Sequence, residues 1–264
     1  MRIISINTNG IRAAARKGFF TWMQQQQPDV VCIQETKAQL HQLSDPVFSP
    51  AGYERYFHDA KRPGYSGVAI YSRHQPDQVQ HGIGWDVMDD EGRWLRADFG
   101  SLSVISLYLP SGSSKDERQQ VKYETMDYLQ PLLTDMAGHE REYIICGDWN
   151  IAHRKIDIKN WRGNQKNSGF LPEERAWMDE LFGPVGWVDT FRLIEPGEAQ
   201  YTWWSNRGQA WANNTGWRID YQVATPGIAA RARAVDIYKA ERFSDHAPLT
   251  IDYDYRIDEG ETPA

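Results

Sequence analysis

Short apolar runs recur along nearly the whole chain, and this recurrence is what most constrains the fold. The runs are RIISIN, DVVCIQ, GVAIYSR, WLRADF, LSVISLYL, EYIICGD, WRIDYQVAT, AVDIYK and APLTIDYDY. Runs of this length and composition, bounded by turn residues, are typical of buried β-strands. The sequence therefore predicts a protein built around β-sheets.

Helical periodicity separates only some of these strands. It predicts helices from Lys17 to Gln27, from Asp116 to Met136 and from Glu173 to Phe182, with Pro131 kinking or breaking the second one. Strands joined partly by helices and partly by turns indicate an α/β fold of mixed sheets covered by helices. We expect one compact domain over residues 1–255 and a polar, frayed tail over 256–264.

Composition excludes several classes of protein. A chain of 264 residues that is 41% hydrophobic can bury a large core, so it is not an unstructured protein. Cys32 and Cys146 lie in apolar runs, which predicts buried, reduced thiols and a reducing compartment. The N-terminus lacks a signal-peptide core, and no stretch reaches the ~18 apolar residues of a membrane span. We therefore expect a cytoplasmic protein without a membrane partner.

The formal net charge of -7 argues at first against a nucleic-acid partner. A site built from several carboxylates, however, makes the total acidic while it binds a divalent cation that reverses the local field. Net charge therefore leaves nucleic-acid binding open.

Polar side chains recur at the ends of the predicted strands. They are Asn7, Asn9, Glu35, Tyr108, Asp148, Asn150, Asp220, Asp245 and His246. Each one taken alone has an ordinary structural explanation, since Asp and Asn shape turns and a His at a turn is commonly exposed. Buried carboxylates, however, cost several kcal/mol unless they are paired or bind a metal. Their repetition favours a site for a hard cation such as Mg²⁺ or Mn²⁺.

One imidazole and one further acid complete this pattern. His246 directly follows Asp245, and Asp220 lies between apolar neighbours, so a pairing of His246 with Asp220 is a natural hypothesis. The chain shows no Ser or Cys nucleophile motif. Acids, amides, one His and one Tyr together predict metal-assisted hydrolysis of a phosphate ester.

At these residues the sequence resembles the exonuclease III family of abasic-site endonucleases, within the endonuclease/exonuclease/phosphatase superfamily. The resemblance rests on an ordered series of motifs: SINTNGIRA, QETK, GYSGVAIYSR, SLYLPSG, GDWNIAH, KNWRGNQKNSGFLPEER, GWRIDYQV and FSDHAPL. It implies a four-layer α/β sandwich, in which two mixed β-sheets pack face to face and helices flank them. It places the site at one end of that sandwich.

The resemblance also implies roles for the residues at the strand ends. Around Mg²⁺, for which Mn²⁺ can substitute, it places Glu35 as the principal ligand, with Asn7, Asn9, Asp148, Asn150, Asp245 and His246 nearby. The implied catalytic residues are Tyr108, Asp148, Asn150, Asp220 and His246. Asp148 or His246 serves as the base, and one or two metal ions act.

For DNA, the resemblance implies mainly contacts to phosphates. The matching positions are Arg12, Lys17, Tyr65, Asn160, Asn164 and Asn167, with Trp203, Trp217 and Ile219 forming a pocket for a flipped abasic sugar and Arg207 wedging into the helix. The implied activity of this monomer is Mg²⁺-dependent cleavage of double-stranded DNA 5′ to an abasic site. Side activities would be 3′-5′ exonuclease and the removal of 3′-phosphates and other 3′ blocks.

Two other functions remain open. A phospholipid or inositol-phosphate phosphodiesterase would share the superfamily chemistry. A catabolite repression control protein would share the fold and act in RNA-bound regulation without catalysis, which fits poorly with this many buried acids.

Overall fold

The strands of this protein form two sheets. The computed structural model describes residues 1–113 and 116–257. Within these residues the strands are β1 (Arg2–Asn7), β2 (Val30–Gln34), β3 (Glu54–His58), β4 (Val68–Ser72), β5 (Gln78–His81), β6 (Trp94–Phe99), β7 (Leu102–Tyr108), β8 (Glu142–Asp148), β9 (Val188–Asp189), β10 (Asp220–Ala224), β11 (Ala232–Ile237) and β12 (Leu249–Tyr253).

Each sheet has six strands and mixes parallel with antiparallel pairs. The order is β11-β12-β1-β2-β4-β3 in the first sheet and β5-β6-β7-β8-β10-β9 in the second. The parallel pairs are β1 with β2 and β7 with β8, and their neighbours run antiparallel to them. Each sheet therefore has one parallel pair of strands at its centre.

Helices pack around the two sheets. Their bounds are α1 (Ile11–Arg16), α2 (Phe19–Gln26), α3 (Asp86–Asp89), α4 (Asp116–Ala137), α5 (Trp161–Asn164), α6 (Pro172–Phe182), α7 (Thr190–Ile194) and α8 (Pro226–Ala229), with 3₁₀ turns at Leu40–Gln42, Pro46–Phe48 and Lys155–Asp157. The predicted helix after Asp116 continues through Pro131 without a break. No helix in the described part of the chain is long and apolar enough to cross a membrane.

The pleat of each strand sends alternate side chains into different layers. Ile3 belongs to the core between the two sheets, whereas Ile4 packs with Phe19 and Met23 under α2. On the other side, Leu133 and Met178 place α4 and α6 against the outer face of the second sheet. This four-layer α/β sandwich confirms the predicted fold class.

The sequence missed β3, β5 and β9. All three are edge strands, and β3 and β5 expose many polar side chains, so they lack the apolar signal of central strands. The predicted strand WRIDYQVAT begins too early, because β10 starts only at Asp220. Trp217 instead bridges to Trp203, outside the sheet.

The two cysteines and Ile257 near the C-terminus are buried in the core between the sheets. Cys32 and Cys146 are free and buried between the sheets, as predicted. Ile257 is buried against the same core, so the chain is still packed at the second residue of the predicted tail. The rest of that tail, 258–264, lies outside the described residues.

Candidate active site

Strand pairing alone brings the polar residues to one end of the sandwich. Strands β7 and β8 run parallel and end in register at Tyr108 and Asp148, while Asp220 pairs with Asp148 at the start of antiparallel β10. In the first sheet, parallel β1 and β2 end at Asn7 and just before Glu35. Carboxyl ends of parallel strands meet at one edge, which is where α/β folds place their sites.

Gly147 explains how β8 approaches its neighbour closely at this point. A Cβ at this position would clash with the backbone of Leu107 on β7. The next residue, Asp148, is buried with 1% of its surface exposed. The glycine therefore lets the two strands stay paired up to the carboxylate.

Asn7 links the two sheets through its amide group. Its Nδ2 donates to Glu35 Oε1 at 2.9 Å and to Asp148 Oδ2 at 2.8 Å, and its Oδ1 accepts from the backbone N–H of Asn9 at 2.9 Å. This buried amide thus holds two carboxylates side by side. The ligand role inferred for Asn7 stays a prediction.

His246 lies between two carboxylates. Its Nδ1 is 2.9 Å from Asp220 Oδ2, and its Nε2 is 3.8 Å from Asp148 Oδ2. These three residues each offer an atom within 4.8 Å of the others, so the group could hold a metal ion. The pairing of His246 with Asp220 orients the ring so that Nε2 faces Asp148.

Burial and charge shift the pKa values of this group. Burial raises the pKa of Asp148 to about 7, with the nearby His246 opposing the shift and Asp220 adding to it. Burial would lower the pKa of His246, but the carboxylates of Asp220 and Asp148 outweigh it and raise that pKa to about 10. The site therefore holds a protonated imidazole next to its acids.

A second cluster of oxygen atoms surrounds Glu35. Lys37 contacts Glu35 Oε2 at 2.7 Å and also donates to Asn9 Oδ1, while Asn9 Nδ2 donates to Asp245 Oδ1 at 3.1 Å. Burial works to raise the pKa of Glu35, but Lys37 and Asn7 outweigh it and hold that pKa below its usual value. The ammonium group of Lys37 already lies on these oxygen atoms. Because they are hard oxygen donors that attract positive charge, the set also fits a hard divalent cation.

Tyr108 faces the same acids from β7. Tyr108 lines the same cavity as Glu35, and the guanidinium of Arg93 lies 4.5 Å from its ring centre. Burial, together with the Glu35 carboxylate, raises the pKa of Tyr108 well above its usual range. Tyr108 therefore stays a hydrogen-bond donor at neutral pH.

These residues open into a cavity of about 760 Å³. Of the predicted site residues, the cavity is lined by Glu35, Tyr108, Asp148, Asn150, Asn167, Trp203, Arg207, Trp217, Ile219, Asp245 and His246. Asn7 and Asp220 are buried behind it. Asn9 joins it through its hydrogen bond to Asp245.

An apolar wall lies beside the acids. Trp203 and Trp217 meet edge to face with ring centres 6.0 Å apart, and Ile219 packs in the same cluster. Trp203 Nε1 donates to Asp245 Oδ2 at 3.2 Å, which ties this wall to the acidic cluster. The cavity therefore combines acidic oxygens with a small aromatic surface.

The remaining predicted DNA-binding residues do not line this cavity. Arg12 is exposed on α1, and Lys17 is exposed where that helix ends. Asn160 and Asn164 line a neighbouring cavity that shares Trp203 and Trp217 with the main one. Tyr65 lines another cavity and accepts hydrogen bonds from Arg93 and Arg118.

Sequence reasoning missed two cations of the site. Lys37 lies within the quoted motif QETK, two residues after Glu35, and this spacing was an available signal. Arg93 is buried with 1% exposure and donates to the Tyr108 carbonyl oxygen at 3.0 Å. No local pattern marks Arg93 as a site residue, because its hydrogen bonds to Tyr108 and Tyr65 join distant parts of the chain.

Comparisons with known proteins agree with this geometry. The model of the Endonuclease/Exonuclease/phosphatase family matches residues 4–246. The chain belongs to this family. Over 253 residues it is 36% identical to the exodeoxyribonuclease of Bacillus subtilis (strain 168), covering 95% of this chain and 98% of that one.

Two solved structures of related proteins extend the comparison. An AP endonuclease from Archaeoglobus fulgidus is 30% identical, with a TM-score of 0.89 over 97% of this chain and 100% of that chain. The 3′ phosphatase NExo from Neisseria, bound to product DNA hairpin, is 26% identical, with a TM-score of 0.87 over 97% of this chain and 100% of that chain. Members of the Endonuclease/Exonuclease/phosphatase family with this fold thus include enzymes that act on DNA.

Proposed function

We propose that this protein is a DNA repair hydrolase that cuts the phosphodiester bond 5′ to an abasic site and leaves a 3′-hydroxyl. Its side activities are 3′-5′ exonuclease and removal of 3′-phosphates and other 3′ blocks. The observation that carries the proposal is one cavity in which Asp148, His246 and Glu35 lie beside the aromatic wall of Trp203 and Trp217. The acids and imidazole suit phosphate hydrolysis, and the wall suits a sugar without a base.

The protein groups divide the chemistry between them. Asp148 accepts hydrogen bonds from Asn7 Nδ2 and from the Asn150 backbone N–H at 2.9 Å, which aims its carboxylate into the cavity to position and deprotonate water. His246, held by Asp220, presents Nε2 to a nonbridging oxygen and stabilises the developing negative charge. Tyr108 donates a hydrogen bond to the phosphate or the leaving oxygen.

The family chemistry calls for a divalent metal ion, and the donor set around Glu35 fits one. Glu35 and Asp245 would hold Mg²⁺, or Mn²⁺ in its place, with Asn9 beside them. When bound, the ion neutralises charge on the scissile phosphate. Lys37 would then no longer contact Glu35 and Asn9, because the ion would take its place on their oxygen atoms.

Recognition of DNA rests on shape more than on base sequence. Neutral amides come from Asn160, Asn164 and Asn167, and further contacts to the phosphate backbone come from Arg12, Lys17 and Tyr65. Arg207 lines both cavities, and we propose that it enters the duplex at the gap left by the flipped nucleotide. We propose a cytoplasmic monomer that acts through a single domain, whose core includes Ile257.

A labelled duplex with one abasic analogue tests the proposal. With Mg²⁺ we expect a single cut 5′ to the analogue with a 3′-hydroxyl product, and with EDTA we expect none. Asp148→Asn should lower kcat by about 10³-fold or more with the melting temperature retained. The matched control Asp135→Asn changes an exposed acid on α4 and should leave kcat unchanged.

Assays run side by side on other substrates distinguish the competing functions. Hydrolysis of inositol phosphates in preference to abasic DNA would indicate the phosphodiesterase alternative. Tight RNA binding without any cleavage of DNA would indicate the regulatory alternative. Equal cleavage of abasic DNA by wild type and Asp148→Asn would contradict the role assigned to this acid.

A further inference from the structure

A buried ion pair lies directly behind the loop of residues 149–152 that follows β8, the catalytic loop. Lys122 on α4 and Glu174 on α6 both have 0% exposure, and Lys122 Nζ lies 2.6 Å from Glu174 Oε1. Because Lys122 is fully buried, it cannot contact DNA. An apolar pair of similar volume would often stabilise a core as well, so stability is a poor explanation for this arrangement.

Lys122 makes its second contact with the catalytic loop. Its Nζ donates to the carbonyl oxygen of Asn150 at 2.8 Å. Asn150 has a φ of 51°, in the left-handed region that non-glycine residues rarely adopt. In this conformation its backbone N–H donates to Asp148 Oδ1 at 2.9 Å, and its side-chain Nδ2 donates to the Leu109 carbonyl oxygen at 2.8 Å.

Glu174 connects the same pair to a second segment of chain that lines the cavity. Its Oε2 accepts the backbone N–H groups of Gly169 at 2.7 Å and Leu171 at 3.0 Å, and both residues line the cavity. The Gly169 carbonyl oxygen in turn accepts the N–H of Ala152 at 2.7 Å, two residues after Asn150. One buried pair thus supports two neighbouring segments of chain at the cavity.

We propose that the Lys122–Glu174 pair is a positioning device, which holds Asn150 in its left-handed conformation and so keeps its N–H on the Asp148 carboxylate. The consequence for catalysis rests on the proposed hydrolase function, whereas the structural coupling does not. Lys122 acts through Asn150 and never touches the substrate. Its loss should therefore lower kcat, because geometry in the transition state changes, and leave KM nearly unchanged.

The experiment compares Lys122→Met with Leu133→Ala. Leu133 is a buried residue on the same helix, about 16 Å further along its axis, with no partner in the site. Both variants should lower the melting temperature. In Lys122→Met we expect kcat on an abasic duplex to fall by about 10- to 100-fold with KM within about twofold. In Leu133→Ala, both constants should match those of wild type.

Two further measurements sharpen the test, and the first of them does not depend on activity. Amide exchange at Asn150, followed by NMR, should become about tenfold faster or more in Lys122→Met and stay unchanged in Leu133→Ala. In a double-mutant cycle with Glu174→Gln, the double variant should lose little more kcat than Lys122→Met alone, because the pair acts as one unit.

The outcomes separate the two proposals. Unchanged Asn150 exchange in Lys122→Met overturns the positioning role, whatever the activity. A rise in KM at constant kcat also overturns it, since that result indicates substrate binding. If exchange responds as expected but wild type does not cut abasic DNA, the proposed function fails and the structural coupling stands.

Discussion

Asp157 is the centre of a buried charge network that supports the apolar wall of the cavity. Its Oδ1 accepts from Arg218 at 2.8 Å and from Arg192 at 2.6 Å, and Arg218 also pairs with Asp189 at 2.6 Å. Arg218 lies between Trp217 and Ile219, so the network anchors the segment that carries two residues of the wall. We predict that Asp157→Asn destabilises the fold in a pH-dependent way.

The structure sets the magnitude of the stability loss expected for Asp157→Asn. Burial alone would raise the pKa of Asp157, but Arg218 and Arg192 outweigh it and lower that pKa to about 2 from a normal 3.8. The shift corresponds to about 2.4 kcal/mol of stability at neutral pH. Breaking a buried pair while its arginines stay buried commonly costs about 3–5 kcal/mol. We therefore expect Asp157→Asn to lose about 2–5 kcal/mol at pH 7.

The sign of the pH dependence follows from the lowered pKa. The stabilisation is fully present above the unfolded-state pKa of about 3.9 and is lost as pH falls towards about 2. Urea unfolding at pH 7, 5 and 3 should thus show a large difference between wild type and variant at pH 7 and 5 that shrinks at pH 3. Asp254→Asn, which removes an exposed partner of Arg233, should change the free energy of unfolding by less than about 1 kcal/mol. A difference at pH 7 below about 0.5 kcal/mol, or one that grows towards pH 3, would show that the network does not stabilise the fold.

Three other predictions concern the site and the core. Glu35→Gln should raise the Mg²⁺ concentration needed for half-maximal cleavage by about tenfold or more, measured by metal titration after EDTA treatment, and an unchanged titration would exclude Glu35 as a ligand. Trp217→Ala should lower the rate of abasic-site cleavage far more than the rate at which the enzyme removes a 3′-phosphate, because only the first reaction depends on the flipped sugar. Equal losses in the two rates would contradict this. Cys32 and Cys146 should react with a thiol reagent only when urea unfolds the protein, and rapid reaction of the native protein would contradict their burial.

The sequence predicted the central strands more reliably than the edges. Strands such as β2 and β8 are buried along nearly their whole length, so their composition alone distinguishes them. The edge strand β5 carries polar, largely exposed side chains, and its pairing with β6 depends on a neighbour rather than on its own residues. The continuity of α4 at Pro131 was likewise not readable from the sequence, because packing on the sheet decides it.

By itself, the sequence determined that carboxylates, amides and one imidazole lie at strand ends, because the change from apolar to polar residues is a local property of the chain. It also identified His246 and Asp220 as a candidate pair, and their atoms are 2.9 Å apart. Tertiary structure alone decided that Asn7 bridges Glu35 and Asp148. It also brought Lys122 behind Asn150. These contacts join residues on different sheets and helices, and only the face-to-face packing of the two sheets, driven by burial of their apolar faces, sets which distant side chains meet.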